Sequence, residues 1–481
     1  MSDSSQYPSE NGVMRNAPSD ICKLLRRDPR AGLEKLALLP GGLYAFSKKP
    51  ILGAIATDLN LVRAVLSDAG GRFQKSPAIG RFRYLLGDGT ATSYFPPDGS
   101  EYYGDFKTLD DFRRYKRKVL LPAFKRERII VHNDAIYKLN QVSQGSWEEG
   151  QTRDIYVDMS KLMLEIMITT LFNRSVTPLV VEAGKSALSS SAAVERRLHA
   201  SFCPISGIFD RGTPILDKLW LFVPGKDNHS LRERHTKVEK AVTSLLNGEP
   251  LDHNPQNGLL YRLLEARDGH LGIKMSNDQI NRSAIGLFFA SYENSSTAAS
   301  WILWCLATNP EAQELAYKEV SALLQESNDW QYITEKLQYV EACISEGLRL
   351  YPPVWSMARE AVEDVIIGSY KIPAKSILIM SPWLQHRHIQ SWTNPENFMP
   401  ERFIESKIIN QGAYFPFGLG QRFCLGKGFA QIELKITIAS ILYKWRLKPV
   451  EESSPIPQLG VTQKPKNGIK VRLVRRNTPD A

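Results

Sequence analysis

The chain has no apolar run approaching the roughly 20 residues that a membrane-spanning helix requires. It is poor in cysteine: five (Cys22, Cys203, Cys305, Cys343 and Cys424) in 481 residues, far apart and without a CxxC. That excludes a disulfide framework and a zinc pattern, and leaves reduced thiols, mostly small core residues. It has no internal repeat and no Gly/Ser linker that would split it into independent halves. Its first twenty residues, MSDSSQYPSENGVMRNAPSD, are polar and are followed by no signal-peptide h-region. Residues 1–25 therefore read as a disordered or loosely ordered tail and 26–481 as one domain, with the cytoplasm as the default location. What is present in quantity, 43% hydrophobic and 23% charged residues, is the composition of a soluble globular protein.

Acidic residues are the scarcer charge, 51 against 61 Lys and Arg, for a net +10. The excess is uneven. Arg113 to Lys118 reads RRYKRK, and Lys125, Arg126 and Arg128 follow closely. Nucleic acid, an acidic protein, or simply water on a solvated helix face would each suit such a run.

Strand-like runs sit near the start (GLYAF, ILGAIAT) and between about 365 and 382 (DVIIGSY, SILIMS), bounded by Gly and Pro. The long stretch between them, from about 105 to 350, has helical periodicity. The fold class is mainly α with a minor sheet assembled from both ends of the sequence. The clearest helix spans Asn277 to Thr308, with Ser276 and Gln279 as a capping box and Asn309-Pro310 ending it. At 1.5 Å per residue it is about 48 Å long, enough to cross a domain. Its middle, IGLFFA, is apolar nearly all round, yet SYENSS follows immediately. Polar groups that deep need partners or a cavity. A second helix, Glu335 to Leu350, places Glu346 and Arg349 three residues apart on one face.

The stretch FPFGLGQRFCLG, residues 415–426, surrounds one sulfur with three glycines, three phenylalanines and an arginine. Its spacing is Phe417-x-x-Gly420-x-Arg422-x-Cys424-x-Gly426. Together with Glu346-x-x-Arg349 and Pro400-Glu401-Arg402-Phe403, in that order, it closely resembles the cytochrome P-450 (haem-thiolate) family, with similarity from about residue 40 to 475. The apolar run after Cys424 reads as a helix, which places the cysteine at a helix N-terminus where dipole and free N–H groups favour a thiolate. Gly420 and Gly426 would allow turns and close backbone approach, and Phe417 would shield the sulfur from water.

The resemblance implies haem b (iron protoporphyrin IX) with Cys424 as axial thiolate and metal ligand. It implies propionate binding by Arg422 and by Arg117, which falls on the family's W/H-x-x-x-R ahead of Pro122-Ala123-Phe124. Arg113 stands where that pattern has Trp or His. Arg359, in PPVWSMARE, falls at another propionate position. Glu346, Arg349 and Arg402 would form a buried triad fixing the cysteine loop. The pocket would be lined by the segments around 76–104 and 196–225 and by Phe289, Ala290, Val354, Trp355 and Met357, which suit an apolar or aromatic substrate. No flavin or Fe–S domain is present, so electrons would come from a separate ferredoxin- or flavodoxin-type donor with its reductase. The RRYKRK helix would border the docking face, a better use for it than nucleic acid. A monomer without a transmembrane anchor is expected.

The sequence departs from the family where the long helix normally carries A-G-x-[DE]-T-T. Here it reads Ala290-Ser291-Tyr292-Glu293-Asn294-Ser295. The acid is kept as Glu293, but the alcohol position is Asn294, an amide that hydrogen-bonds without releasing a proton at neutral pH. Ser295 carries a hydroxyl about 100° further round the helix. Glu293, Asn294 and Ser295 are the catalytic candidates, with Asn294 as a mere helix-kink residue the competing reading. Two function classes remain. One is a redox-partner-dependent monooxygenase, giving hydroxylation or desaturation, cyclisation or coupling. The other is a haem-thiolate protein without reductive O2 activation: peroxide-dependent, an isomerase or rearrangement catalyst, or a ligand binder.

Overall fold

The computed structural model describes residues 14–47, 53–68, 70–76, 109–187, 226–251, 261, 263–265, 275–405, 412–450 and 454–476. The expected pocket segments 77–104 and 196–225, and Cys203, lie outside them.

Five helices position the site: α1 (Leu109–Leu120), α2 (Ile155–Thr170), α3 (Asn277–Thr308), α4 (Tyr339–Leu350) and α5 (Lys427–Lys444). Helix α3 has the bounds its sequence announces, and both halves of the capping box form: the Gln279 N–H donates to Ser276 Oγ and the Ser276 N–H to Gln279 Oε1. Helix α4 begins four residues later than periodicity places it. The Glu319 carboxylate takes the N–H groups of Gln338, Tyr339 and Val340, a side-chain cap that breaks the run after the short helix Trp330–Lys336.

The main sheet joins both ends of the chain. Its strands are β1 (Met14–Asn16), β2 (Leu43–Ser47), β3 (Gly53–Ala56), β4 (Phe73–Lys75), β5 (Met357–Ala361) and β6 (Ile377–Met380), in the spatial order β1-β2-β3-β6-β5-β4. β3 pairs with β6 in parallel and β5 with β6 antiparallel. β7 (Pro457–Leu459) and β8 (Gln463–Pro465) form a separate hairpin. Residues 14–25, expected to belong to a loose tail, are ordered instead. Met14 to Asn16 pair with Leu43 to Ala45, and the helix Ser19–Arg27 buries Ile21 and Leu25. The sequence ICKLLRR is amphipathic, so burying one face offsets the entropy of ordering it.

The largest core cluster runs along α3, α2 and α5, with Trp301, Ile302, Met163 and Ile441 fully enclosed. Gln279 to Ala307 is buried at most positions, but Ala290 is exposed and Asn294 half-buried. Between Ser283 and Leu303, Leu287, Ala290, Ser291 and Asn294 are the positions not fully buried among the described residues. Among the described residues no helix is long and apolar enough to cross a membrane.

Candidate active site

The loop 415–426 is pinned by its own backbone. The Cys424 N–H donates to Phe417 O at 2.8 Å, and the Gly418 N–H to Phe415 O at 2.9 Å. Gly420 has φ +66, and a Cβ there would stand 2.6 Å from Leu66 O; only glycine meets both conditions. Gly426 differs from expectation. Its φ is −82, and a Cβ would meet Phe124 and Cys424 Sγ at ordinary distances of 3.7 and 3.9 Å. It serves as N-cap of α5 and hydrogen-bonds the sulfur through its backbone.

The Cys424 side chain reaches the surface although protein crowds it on most sides. The surrounding protein pushes its thiol up from the ordinary value by burial, while the Gly426 backbone, Arg117 and Lys427 pull it down. Burial wins. The Gly426 backbone and the two cations favour the thiolate against that burial. A coordinating metal deprotonates a thiol outright, so this donor set suits a metal-bound sulfur.

Of the four expected arginines, Arg117 contacts the loop, Arg422 belongs to it, and Arg359 lies in the sheet beside it. Arg117 Nη1 donates to Phe423 O at 3.1 Å, with its guanidinium 4.5 Å from the centre of the Phe423 ring. Arg422 Nη1 donates to Phe73 O in β4 at 2.9 Å. Arg359, buried in β5, pairs across to Lys75 of the same β4. Met357 of β5 packs against Gly418. Arg113 lies on α1 with Arg117, its side chain outside the described residues. One thiol among several guanidiniums is a donor set matched to a metal macrocycle bearing acidic substituents, so the residues present fit a haem.

The triad forms as expected. Arg349 grips Glu346 with two hydrogen bonds (Nε–Oε2 2.6 Å, Nη2–Oε1 2.7 Å), both side chains fully buried. Arg402 Nε reaches Glu346 Oε1 at 3.0 Å, and the Met399 N–H donates to the same oxygen. Remaining guanidinium donors reach the carbonyls of His386, Pro395 and Asn397 from Arg349, and of Thr393 and Asn394 from Arg402.

Sequence reasoning passed over His386, which links the triad to the cysteine loop. Its Nε2 accepts the Phe415 N–H at 3.0 Å, so Nδ1 carries the proton and donates to Arg349 O at 3.1 Å. Burial, with the Arg349 charge, lowers its pKa to about 3, so it stays neutral. The apolar run before it, SILIMSPWLQ, was the available signal: a histidine entering the core needs two partners.

On α3 the catalytic candidates separate. Asn294 Nδ2 donates to Ala290 O at 2.9 Å, while its Oδ1 is buried without a partner. Glu293 is buried and turned toward the β7–β8 hairpin, accepting from Thr462 Oγ1 at 2.8 Å and paired with Lys464 Nζ at 2.5 Å. Ser295 faces Glu433 of α5, a second residue the sequence reading missed. Burial pushes the Glu433 carboxyl up to about 8, with the Ser295 hydroxyl opposing. A lone acid between Phe429 and Thr437 on the apolar face of a helix was the clue.

Among the expected pocket residues, Ala290 is exposed and Val354 and Met357 are half-buried. Phe289 sits in the main core, edge-on to Phe288. Trp355 is held in the N-terminal cluster, its Nε1 donating to Gly460 O at 2.6 Å. In the basic cluster, Arg114 and Lys118 are exposed but Lys116 is buried, since one helix cannot present six consecutive residues to water.

The chain belongs to the cytochrome P450 family, whose model matches residues 52–471. The enzymes of this family bind haem through a cysteine thiolate. The chain is 26% identical over 433 residues to cyclooctat-9-en-7-ol 5-monooxygenase of Streptomyces melanosporofaciens, covering 88% of this chain and 86% of that one. It is 30% identical over 369 residues to cytochrome P450 4A12B of Mus musculus, 74% of this chain and 72% of that one. The crystal structure of CYP175A1 from Thermus thermophillus matches its fold with a TM-score of 0.71 at 22% identity, over 97% of this chain and 100% of that one.

Proposed function

We propose that Cys424 is the axial thiolate of the haem and that the enzyme oxidises a small apolar or aromatic substrate using O2 and electrons from a separate protein donor. The observation that carries this reading is the Cys424 loop at the head of α5, with Arg117 bonded to its Phe423 carbonyl and Arg422 of the loop bonded to Phe73 O in β4. When bound, the haem would supply the O2 activation, with the Cys424 thiolate holding its iron.

The chain's own residues divide the rest. Arg117, Arg359 and Arg422, with Arg113 one turn before Arg117, hold propionates through charge-assisted hydrogen bonds. Phe417, half-buried against the core, keeps water from the sulfur. Asn294 spends its N–H2 on Ala290 O and presents Oδ1, which accepts from a water. Glu293, tied by Thr462 and Lys464, holds the hairpin in place as well as a charge. Glu433, its carboxyl pKa raised to about 8 by burial, holds its proton beside the Ser295 hydroxyl, about 100° around α3 from Asn294. Arg114 and Lys118, exposed on α1, together with exposed Arg128 and Lys427, form the face that suits an acidic ferredoxin- or flavodoxin-type donor.

Reduced, CO-bound protein should show the long-wavelength Soret band of a thiolate haem, and Cys424→Ala should lose it. A band that persists means another residue holds the iron. Turnover with peroxide alone, and none with NADPH and a ferredoxin system, would remove the electron-donor half of the proposal.

A further inference from the structure

A cavity of about 750 Å³ lies between α2, the helical segment 178–187, Tyr292 of α3 and the β7–β8 hairpin. Its size is that of a small-molecule site. Tyr292 faces into it two residues before Asn294, about 160° away around the helix, so the cavity lies behind α3 from the face that carries Asn294. Leu164, Val181, Tyr292 and Pro465 give it apolar walls. Tyr292, fully buried, donates its hydroxyl to Gly184 O and closes the back.

Four lysines converge on this cavity: Lys161, Lys185, Lys464 and Lys466. Lys464 is compensated by Glu293. Lys161 is partly offset by Glu165, the other acid at the rim. Lys185 and Lys466 have no acidic partner among the described residues. Like charges around an apolar recess repel one another, and low-dielectric walls focus their field inward. Nothing in the packing of α2 or the hairpin requires them: Lys161, Lys185 and Lys466 are all exposed.

We infer that this cavity is a second binding site, for an amphipathic organic monoanion: a carboxylate with an apolar body. Lys185 and Lys466 hold the head, and Leu164, Val181 and Pro465 take the body. The site is independent of which residue ligates the iron.

The test uses the holoprotein with imidazole saturating the iron, titrated calorimetrically with decanoate and, separately, with decan-1-ol. Decanoate should bind with imidazole present, and decan-1-ol more weakly. Reversing both charges (Lys185→Glu with Lys466→Glu) should weaken decanoate about tenfold or more while leaving decan-1-ol unchanged. Raising salt from about 0.05 to about 0.5 M should weaken decanoate in the same direction. Val181→Trp, which fills the recess without touching charge, should abolish both. Decanoate affinity unaffected by charge reversal, unaffected by Val181→Trp, equal to that of decan-1-ol, or lost when imidazole is added would each overturn the inference. Haem content and circular dichroism of both variants establish that each is folded when it is titrated.

Discussion

Replacing Glu433 with Gln should make the protein more stable at alkaline pH, and the size of the effect follows from the site. The carboxyl is buried at the junction of α5 and α3, and its pKa rises from 4.5 to about 8. The folded state thus holds this proton more tightly than the unfolded chain. Stability contributed by the group is complete below about pH 4.5 and falls as pH rises toward 8, where the native carboxyl also ionises. About 3.5 units at about 1.4 kcal/mol each gives a loss of about 5 kcal/mol by pH 8. At about 2.1 cal/mol/K per residue, unfolding a chain of this length carries about 1 kcal/mol/K, so the difference is about 5 °C in melting temperature. Gln keeps the shape and a hydrogen-bonding partner for Ser295 but does not titrate. Thermal melts of both proteins, followed by circular dichroism and by the Soret band from pH 5 to 9, should converge near pH 5 and diverge toward pH 8, with the variant higher. A difference that does not change with pH, or a wild-type protein that melts higher at pH 8, would refute the reasoning.

Glu346→Gln leaves Arg349 buried without its counter-charge, at about 3–5 kcal/mol. Haem incorporation and folded yield should fall, and a variant with full haem content and no turnover would contradict the bracing role. Arg114→Glu with Lys118→Glu should slow reduction by an acidic donor and leave substrate-induced Soret shifts intact; stopped-flow reduction at about 0.1 M and about 1 M salt, where the Debye length drops from about 10 Å to about 3 Å, checks that the loss is electrostatic. Asn294→Thr should preserve or improve the coupling of electrons to product, because a threonine hydroxyl can also bond back to Ala290 O. Measuring product and peroxide per NADPH decides it, with lost coupling at unchanged substrate affinity as the contrary result.

The sequence exposed those parts of the fold that obey local rules. The ends of α3 were legible from one capping box and one Asn-Pro, and the cysteine loop from the spacing of its glycines and Arg422. The Glu346–Arg349 pairing was readable because three residues is one face of a helix. The break before α4 was not, because the cap comes from Glu319 on a different helix. Residues 14–25 misled because a polar preceding stretch outweighed the short amphipathic run beginning at Ile21. Glu293 was placed by homology of pattern, but its turn toward Lys464 depends on a hairpin 169 residues away in sequence. His386 and Glu433 were invisible for the same reason: their chemistry comes from what tertiary packing buries around them, and burial has no period.

The contact at Gly420 makes two distant parts of the chain a single mechanical piece. With no room for even one extra carbon between that glycine and the carbonyl of Leu66, the last turn of the helix Leu59–Leu66 acts as a stop against which the cysteine loop is seated. The seat of the cysteine loop is therefore set by that helix as well as by the loop's own backbone bonds. A displacement of that last turn is passed to the loop at Gly420, four residues before Cys424. Bulk added around residues 59–67 therefore reaches the cysteine loop through backbone, where neither side has a flexible side chain to yield.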